Sequence, residues 1–139
     1  MSARTEPLSR VAAFHKDPLR FVSTHTSGQI KLWTVDLKLK KLQITPASTG
    51  HLKRQFSTLL IDSTDTFVYA GTRSGDFMEI QIDTATFTRV GPLKQMVGAG
   101  IRTMVYHEAS GNFLIGGGDG CVYVVPRKDF LILQIAKFG

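Results

Sequence analysis

Short apolar runs recur along the chain, and three of them follow a polar–glycine step. They are SGQIKLW (Ser27–Trp33), SGDFMEI (Ser74–Ile80) and DGCVYVV (Asp119–Val125). Ser-Gly and Asp-Gly suit tight hairpin turns, because glycine reaches positive φ without a Cβ clash. The glycines Gly28, Gly75 and Gly120 are 47 and 45 positions apart. Fourteen positions before each stands a large apolar residue: Phe14, Ile61 and Tyr106. A turn-like stretch follows each of these, namely HKDP (His15–Pro18), DSTD (Asp62–Asp65) and HEASG (His107–Gly111). A second apolar run comes next, at Phe21-Val22, Phe67-Val68-Tyr69 and Phe113-Leu114-Ile115. The pattern predicts strand, short turn, strand, tight turn, strand, three times over.

A fourth, more ragged strand is expected after each unit, at Lys41–Ile44, Phe87–Val90 and Leu131–Ala136. Its mixed polarity is that of an outer edge strand. Four antiparallel strands in a period of ~40–50 residues make one β-propeller blade. The fold class predicted is therefore all-β, with three consecutive four-stranded antiparallel blades. Residues 1–10 are expected to be an N-terminal tail, 11–47 blade one, 48–96 blade two and 97–139 blade three. Ile30, Leu32 and Trp33 crowd together, as a strand packed on both faces would.

These residues resemble the WD-repeat family. SGQIKLW is similar to the third strand of a WD repeat, with Trp33 at the tryptophan position. Gly50-His51 sits where the family's Gly-His pair would open blade two. In the family, a strand Ser/Thr, a turn Asp, the His and the Trp form a buried hydrogen-bonded set. Every blade here departs from it. The first has Trp33 but Ser27 in place of the Asp; the second has His51 but Ser74 and Ile80; the third has Asp119 but Val125. The resemblance therefore implies blades that rely more on apolar packing. TGHLKR (Thr49–Arg54), YAGTRSGDFMEI (Tyr69–Ile80), RVGPLKQMVGAGIRTM (Arg89–Met104) and NFLIGGGDG (Asn112–Gly120) sharpen the likeness. In order and spacing they are similar to the WD-repeat microtubule inner proteins of motile axonemes. Those proteins carry many blades in two propellers, and this chain would correspond to three blades of the first.

A propeller typically closes with ~4–8 blades. Three form an incomplete propeller, and an open blade face is apolar. Alone, the chain is expected to self-associate through those faces.

Composition narrows the partners. Seventeen Lys and Arg against eleven Asp and Glu leave a net charge of +6, which favours an acidic partner. Lys38, Lys40 and Lys41, then Lys53 and Arg54, hold a clustered part of the excess. No run of ~18 apolar residues exists to span a bilayer, so no membrane partner is expected. The start, MSARTEPLSRVAAF, lacks the apolar core of a secretory signal. One cysteine, Cys121, cannot form an internal disulfide, which fits a reducing compartment.

Catalytic patterns are missing. GGGDG (Gly116–Gly120) precedes a strand and not a helix, so it reads as a strand end and a hairpin turn. His15, His25, His51 and His107 have no second ligand at metal spacing. His15 and His107 read as turn residues, and His51 as a residue that caps or packs at the start of blade two. Cys121 reads as a small apolar residue without a catalytic partner. Asp62 and Asp65 share a turn and read as turn residues. Trp33 reads as core. Aromatic residues are not interleaved with basic ones, so a nucleic-acid stacking platform is not expected. No catalytic residue, metal or cofactor is assigned.

The reading is a structural scaffold. The resemblance implies the ciliary or flagellar axoneme as its location. It implies tubulin, on the lumenal side of the doublet microtubule, as partner, together with other axonemal proteins. Lys38, Lys40, Lys41, Lys53 and Arg54 are the expected contact. Trp33, Gly28, Gly75, Gly120, His51 and Asp119 are expected to be structural. The alternatives are an intracellular WD-repeat adaptor unrelated to cilia and a nucleic-acid-binding blade array.

Overall fold

Alternating side-chain directions along each strand decide this architecture, because every strand offers one face to each neighbouring sheet. A computed structural model describes residues 7–137. These form twelve strands in three four-stranded sheets, each ordered as it occurs in the chain. Sheet one holds β1 (Leu8–Ala13), β2 (Arg20–His25), β3 (Ile30–Asp36) and β4 (Lys41–Pro46). Sheet two holds β5 (Phe56–Ile61), β6 (Phe67–Thr72), β7 (Phe77–Gln81) and β8 (Thr86–Gly91). Sheet three holds β9 (Ile101–His107), β10 (Asn112–Gly117), β11 (Cys121–Pro126) and β12 (Gln134–Lys137). All pairs within the sheets are antiparallel. The expected blades are present.

Two boundaries differ from expectation. Residues 8–10, expected in the tail, already belong to β1, which pairs with β2 from Leu8↔His25 onward. Residues 1–6 of that tail lie outside the described residues. The last outer strand starts at Gln134 and not at Leu131. Leu131 lies just after the preceding turn, and its N–H donates to Asp129 Oδ1.

Two apolar layers hold the blades together. Val22, Ile30 and Leu32 of blade one meet Val68, Ala70, Met78 and Ile80 of blade two. The other face of blade two, with Tyr69 and Phe77, meets Phe113, Ile115, Tyr123 and Val125 of blade three. Among the described sheets only the middle one is covered on both sides. That is why β7 is buried from Phe77 to Ile80 while β1 and β12 are largely exposed.

The linkers repeat as well. Ser48 forms a parallel bridge to Thr86, and Leu93 one to Leu131. Each bridge spans 38 positions (86 − 48 and 131 − 93) and lays the incoming linker beside the outer part of the blade that follows.

Candidate interaction surfaces

Each blade has a polar set of its own in place of the family's. In blade one, Trp33 Nε1 donates to Ser23 Oγ at 2.7 Å, and Ser23 Oγ lies 2.7 Å from His25 Nε2. All three residues are buried. In blade two, Thr72 Oγ1 donates to Asp76 Oδ1 at 2.5 Å, and Arg54 Nε donates to Asp76 Oδ2 at 3.0 Å. In blade three, Tyr123 donates its hydroxyl to Asp119 Oδ2 at 2.5 Å and accepts the Gly98 N–H. The N–H of Cys121 completes that set at Asp119 Oδ1, 3.0 Å away. The Tyr123 hydroxyl is the main cause that holds the Asp119 carboxyl below its usual range. Each blade thus adds a polar set of its own to the apolar packing on which it was expected to rely more. The substitutes were displaced along the sequence: His25 lies within β2, and Asp76 follows the turn glycine where the family's Asp precedes it.

A second polar centre lies on blade two. Glu79 accepts from Tyr69 at 2.8 Å, from Thr88 at 2.7 Å, and from Arg89 at 3.0 and 2.8 Å. Burial pushes the Glu79 carboxyl up, but the bonds from Arg89, Thr88 and Tyr69 outweigh it and hold the group low. Burial and Glu79 together push the Tyr69 hydroxyl far up, so it stays a donor. The Arg89 guanidinium also lies 3.7 Å from the centroid of Phe130, which ties blade two to blade three.

Bonds between blades recur near the turns. Asp65 accepts the N–H groups of His15 and Lys16, each at 2.8 Å. Burial would raise its carboxyl, yet those two N–H groups hold it below the usual value. His15 Nε2 donates to the Ile61 carbonyl at 2.8 Å. Asp62 caps its own turn through the N–H groups of Thr66 and Phe67 and lies 4.0 Å from Arg127 of blade three. The turn reading of Asp62 and Asp65 stands, and the second of them is also a clamp between blades. His107 stays within its own turn, with Nδ1 2.7 Å from Ser110 Oγ.

The motifs that sharpened the resemblance are packing devices. In TGHLKR, Leu52 reaches the layer between blades one and two, and Gly50 lies against the Phe87 ring. In RVGPLKQMVGAGIRTM, a Cβ on Gly91 would meet the Phe130 ring at 2.7 Å. GGGDG is the end of β10 and the hairpin turn after it, as expected.

The expected structural residues divide. Gly28 and Gly75 adopt positive φ and lie against the linker of the next blade, on the carbonyls of Arg54 and Val97. Gly120 also has positive φ, but nothing stands within 4 Å of a Cβ built there. Trp33 is buried, yet not between blades. It stacks on Phe21, with ring centroids 5.3 Å apart, on the face of sheet one turned away from blade two. The register explains this, since Leu32 and its partner Val22 take the inner face. His51 is exposed in the turn before blade two, so it does not pack in the core there. His25 joins the buried set in blade one. Cys121 is half-buried at the edge of the second apolar layer.

The five basic residues do not form one patch. Lys38 and Lys40 are exposed in the β3–β4 turn, and Lys41 is exposed where β4 begins. Lys53 and Arg54 lie at the other end of the sheet, beside Gly28 before β3. Six strand residues separate the two ends, about 20 Å. Arg54 is moreover engaged with Asp76. A single five-residue contact is therefore corrected to two separate spots.

Each outer sheet leaves one face open. On blade three, Val105, Leu114 and Val124 form one cross-strand row on the side away from Phe113 and Tyr123. Val105 is 53% exposed. On blade one the row is Ala13, Phe21, Trp33 and Ile44.

No family model matches the chain. It is 33% identical over 121 residues to cilia- and flagella-associated protein 52 of Chlamydomonas reinhardtii, which covers 87% of the chain and 19% of that protein. It is 34% identical over 97 residues to the Homo sapiens protein of the same name, which covers 70% of the chain and 16% of that protein. The chain thus spans under a fifth of the length of these curated relatives. Its fold matches the β-propeller domain of Cps50 (Swd1) from Myceliophteria thermophila, with a TM-score of 0.72 at 13% identity over 91% of the chain and 42% of that structure. The structure of U3-55K gives a TM-score of 0.76 at 11% identity over 99% of the chain and 41% of that structure. At such identities the match carries the fold alone. The chain is a run of three divergent blades of the WD-repeat β-propeller family, related in sequence to part of cilia- and flagella-associated protein 52.

Proposed function

We propose that the chain is part of a structural scaffold of the ciliary or flagellar axoneme, one that binds protein partners without catalysis or cofactor. The relationship to proteins named cilia- and flagella-associated carries this reading. The blade architecture supports it, because stacked blades present loops and edges to partners. Tubulin is the partner proposed. Its acidic surface attracts a chain of net charge +6. Lys38, Lys40 and Lys41 form one proposed contact, and Lys53 a second at the opposite end. Full-length protein carrying a fluorescent tag should line the axoneme. Diffuse cytoplasmic signal would favour an adaptor unrelated to cilia. Charge reversal of Lys38, Lys40 and Lys41 should weaken co-sedimentation with microtubules in a salt-dependent way; unchanged binding would remove that contact from the proposal.

The chain by itself is also proposed to self-associate. The observation in favour is the open apolar row of Val105, Leu114 and Val124 on blade three. Blades one and two cover their corresponding faces with the blade that follows.

A further inference from the structure

One cleft of about 600 Å³ is lined by residues of all three blades. It opens beside β1, β5 and β9, the first strand of each sheet. These strands are tied side by side: Arg10 Nε donates to the Ser57 carbonyl at 2.8 Å, and Ser57 Oγ to the Ile101 carbonyl at 2.5 Å. Each carries a register shift at the corresponding place, between Leu8 and Arg10, between Phe56 and Thr58, and between Ile101 and Thr103. The residues left out of register are Ser9, Ser57 and Arg102, and all three line the cleft. A β-bulge re-aims the extra side chain, so the repeat has placed three re-aimed residues around one opening.

Three arginines converge there: Arg10, Arg73 and Arg102. No Asp or Glu lines the cleft, and among the described residues none of the three arginines pairs with an acid. Arg10 spends its Nε on Ser57 and keeps the N–H groups of its two terminal nitrogens. The Ser9 hydroxyl is engaged with Thr24 and that of Ser57 with Ile101, so the guanidinium groups are the donors on offer. Positive charges brought together without a counter-ion favour an anion, and guanidinium matches a carboxylate with two parallel bonds. The one aromatic residue at the cleft, Phe56, is buried and offers no face on which a base could stack.

We infer that this cleft binds an acidic segment of a partner protein, with carboxylates spaced to meet Arg10, Arg73 and Arg102 in turn. The inference does not depend on the axonemal reading, since it concerns a different surface from the lysines above. The test is fluorescence anisotropy with a labelled hexaglutamate peptide and the intact chain, without microtubules. Binding should saturate and weaken as salt is added. R73S/R102S should lower affinity at least about tenfold, because charge-assisted bonds are lost. R73S and R102S singly should each lower it by less, which keeps the test informative if the double variant folds poorly. K38S/K40S/K41S should bind the peptide as the unaltered chain does. The inference is overturned if R73S/R102S binds normally or if the lysine variant weakens binding as much. It is overturned too if a random single-stranded oligonucleotide of equal charge binds more tightly than the peptide.

Discussion

Trp33 and His25 meet at one hydroxyl: Ser23 Oγ lies 2.7 Å from Trp33 Nε1 and 2.7 Å from His25 Nε2. Ser23 is fully buried and His25 nearly so. The Ser23→Ala change leaves the buried Trp33 Nε1 short of a partner and takes one bond from His25, which costs about 1–3 kcal/mol. Urea denaturation of S23A should show that loss. A change under about 0.5 kcal/mol, the range of an ordinary surface substitution, would mean the triad adds little to blade one.

Gly75 and Gly120 occupy equivalent turns in unequal surroundings. Both have positive φ, 101° and 81°. A Cβ on Gly75 would collide with the Val97 carbonyl, whereas one on Gly120 meets nothing within 4 Å. G120A should cost only the left-handed strain, about 1–2 kcal/mol. G75A adds a backbone collision and should cost at least about 2 kcal/mol more. Equal thermal-melt shifts for the two variants would contradict the packing described for Gly75.

Glu79 should give the chain an acid-sensitive limb. Its carboxyl is held below the ordinary value of 4.5 by Arg89, Thr88 and Tyr69, against the upward push of burial. A depressed folded-state value contributes stability above the unfolded value, and that stability is lost as pH falls through the folded value. Between about pH 6 and pH 3 the urea midpoint should therefore fall less steeply in E79Q than in the unaltered chain. Parallel slopes would show that other carboxylates set the acid limb.

The open face of blade three should govern association. V105E/V124E places two charges on the exposed cross-strand row. By light scattering the unaltered chain should show a mass above 15.3 kDa that rises with concentration, and the variant should stay near 15.3 kDa. Equal masses for the two proteins would assign self-association, if present, to another surface.

Most of the fold was legible because its signals are local. The turn glycines and the apolar residues fourteen positions before them repeat with each blade, so strands and turns could be counted. The ends were less legible. The polar Ser9 and Arg10 do not look like strand, yet both lie in β1, where Leu8 and Arg10 on either side of the bulge pair with β2. The outer strand of blade three was misjudged at Leu131 because its apolar character continues through a turn that Asp129 closes.

The sites were harder to read, because they join residues by position in space. The clustered basic residues were visible, but β3 and β4 separate them end from end, and Asp76 claims Arg54. Arg10, Arg73 and Arg102 lie far apart in sequence, and no spacing joins them. The repeated bulges and the side-by-side first strands bring them together.

By itself the sequence determined that this protein is a row of three blades, because strand alternation and turn glycines act over a few residues. Trp33 was legible as a buried residue for the same reason. Only the tertiary structure decided which face it packs on and that Ser23 and His25, not a Gly-His pair, hold its indole. Hydrogen bonds between strands depend on register and distance, and those are settled only when the sheets form.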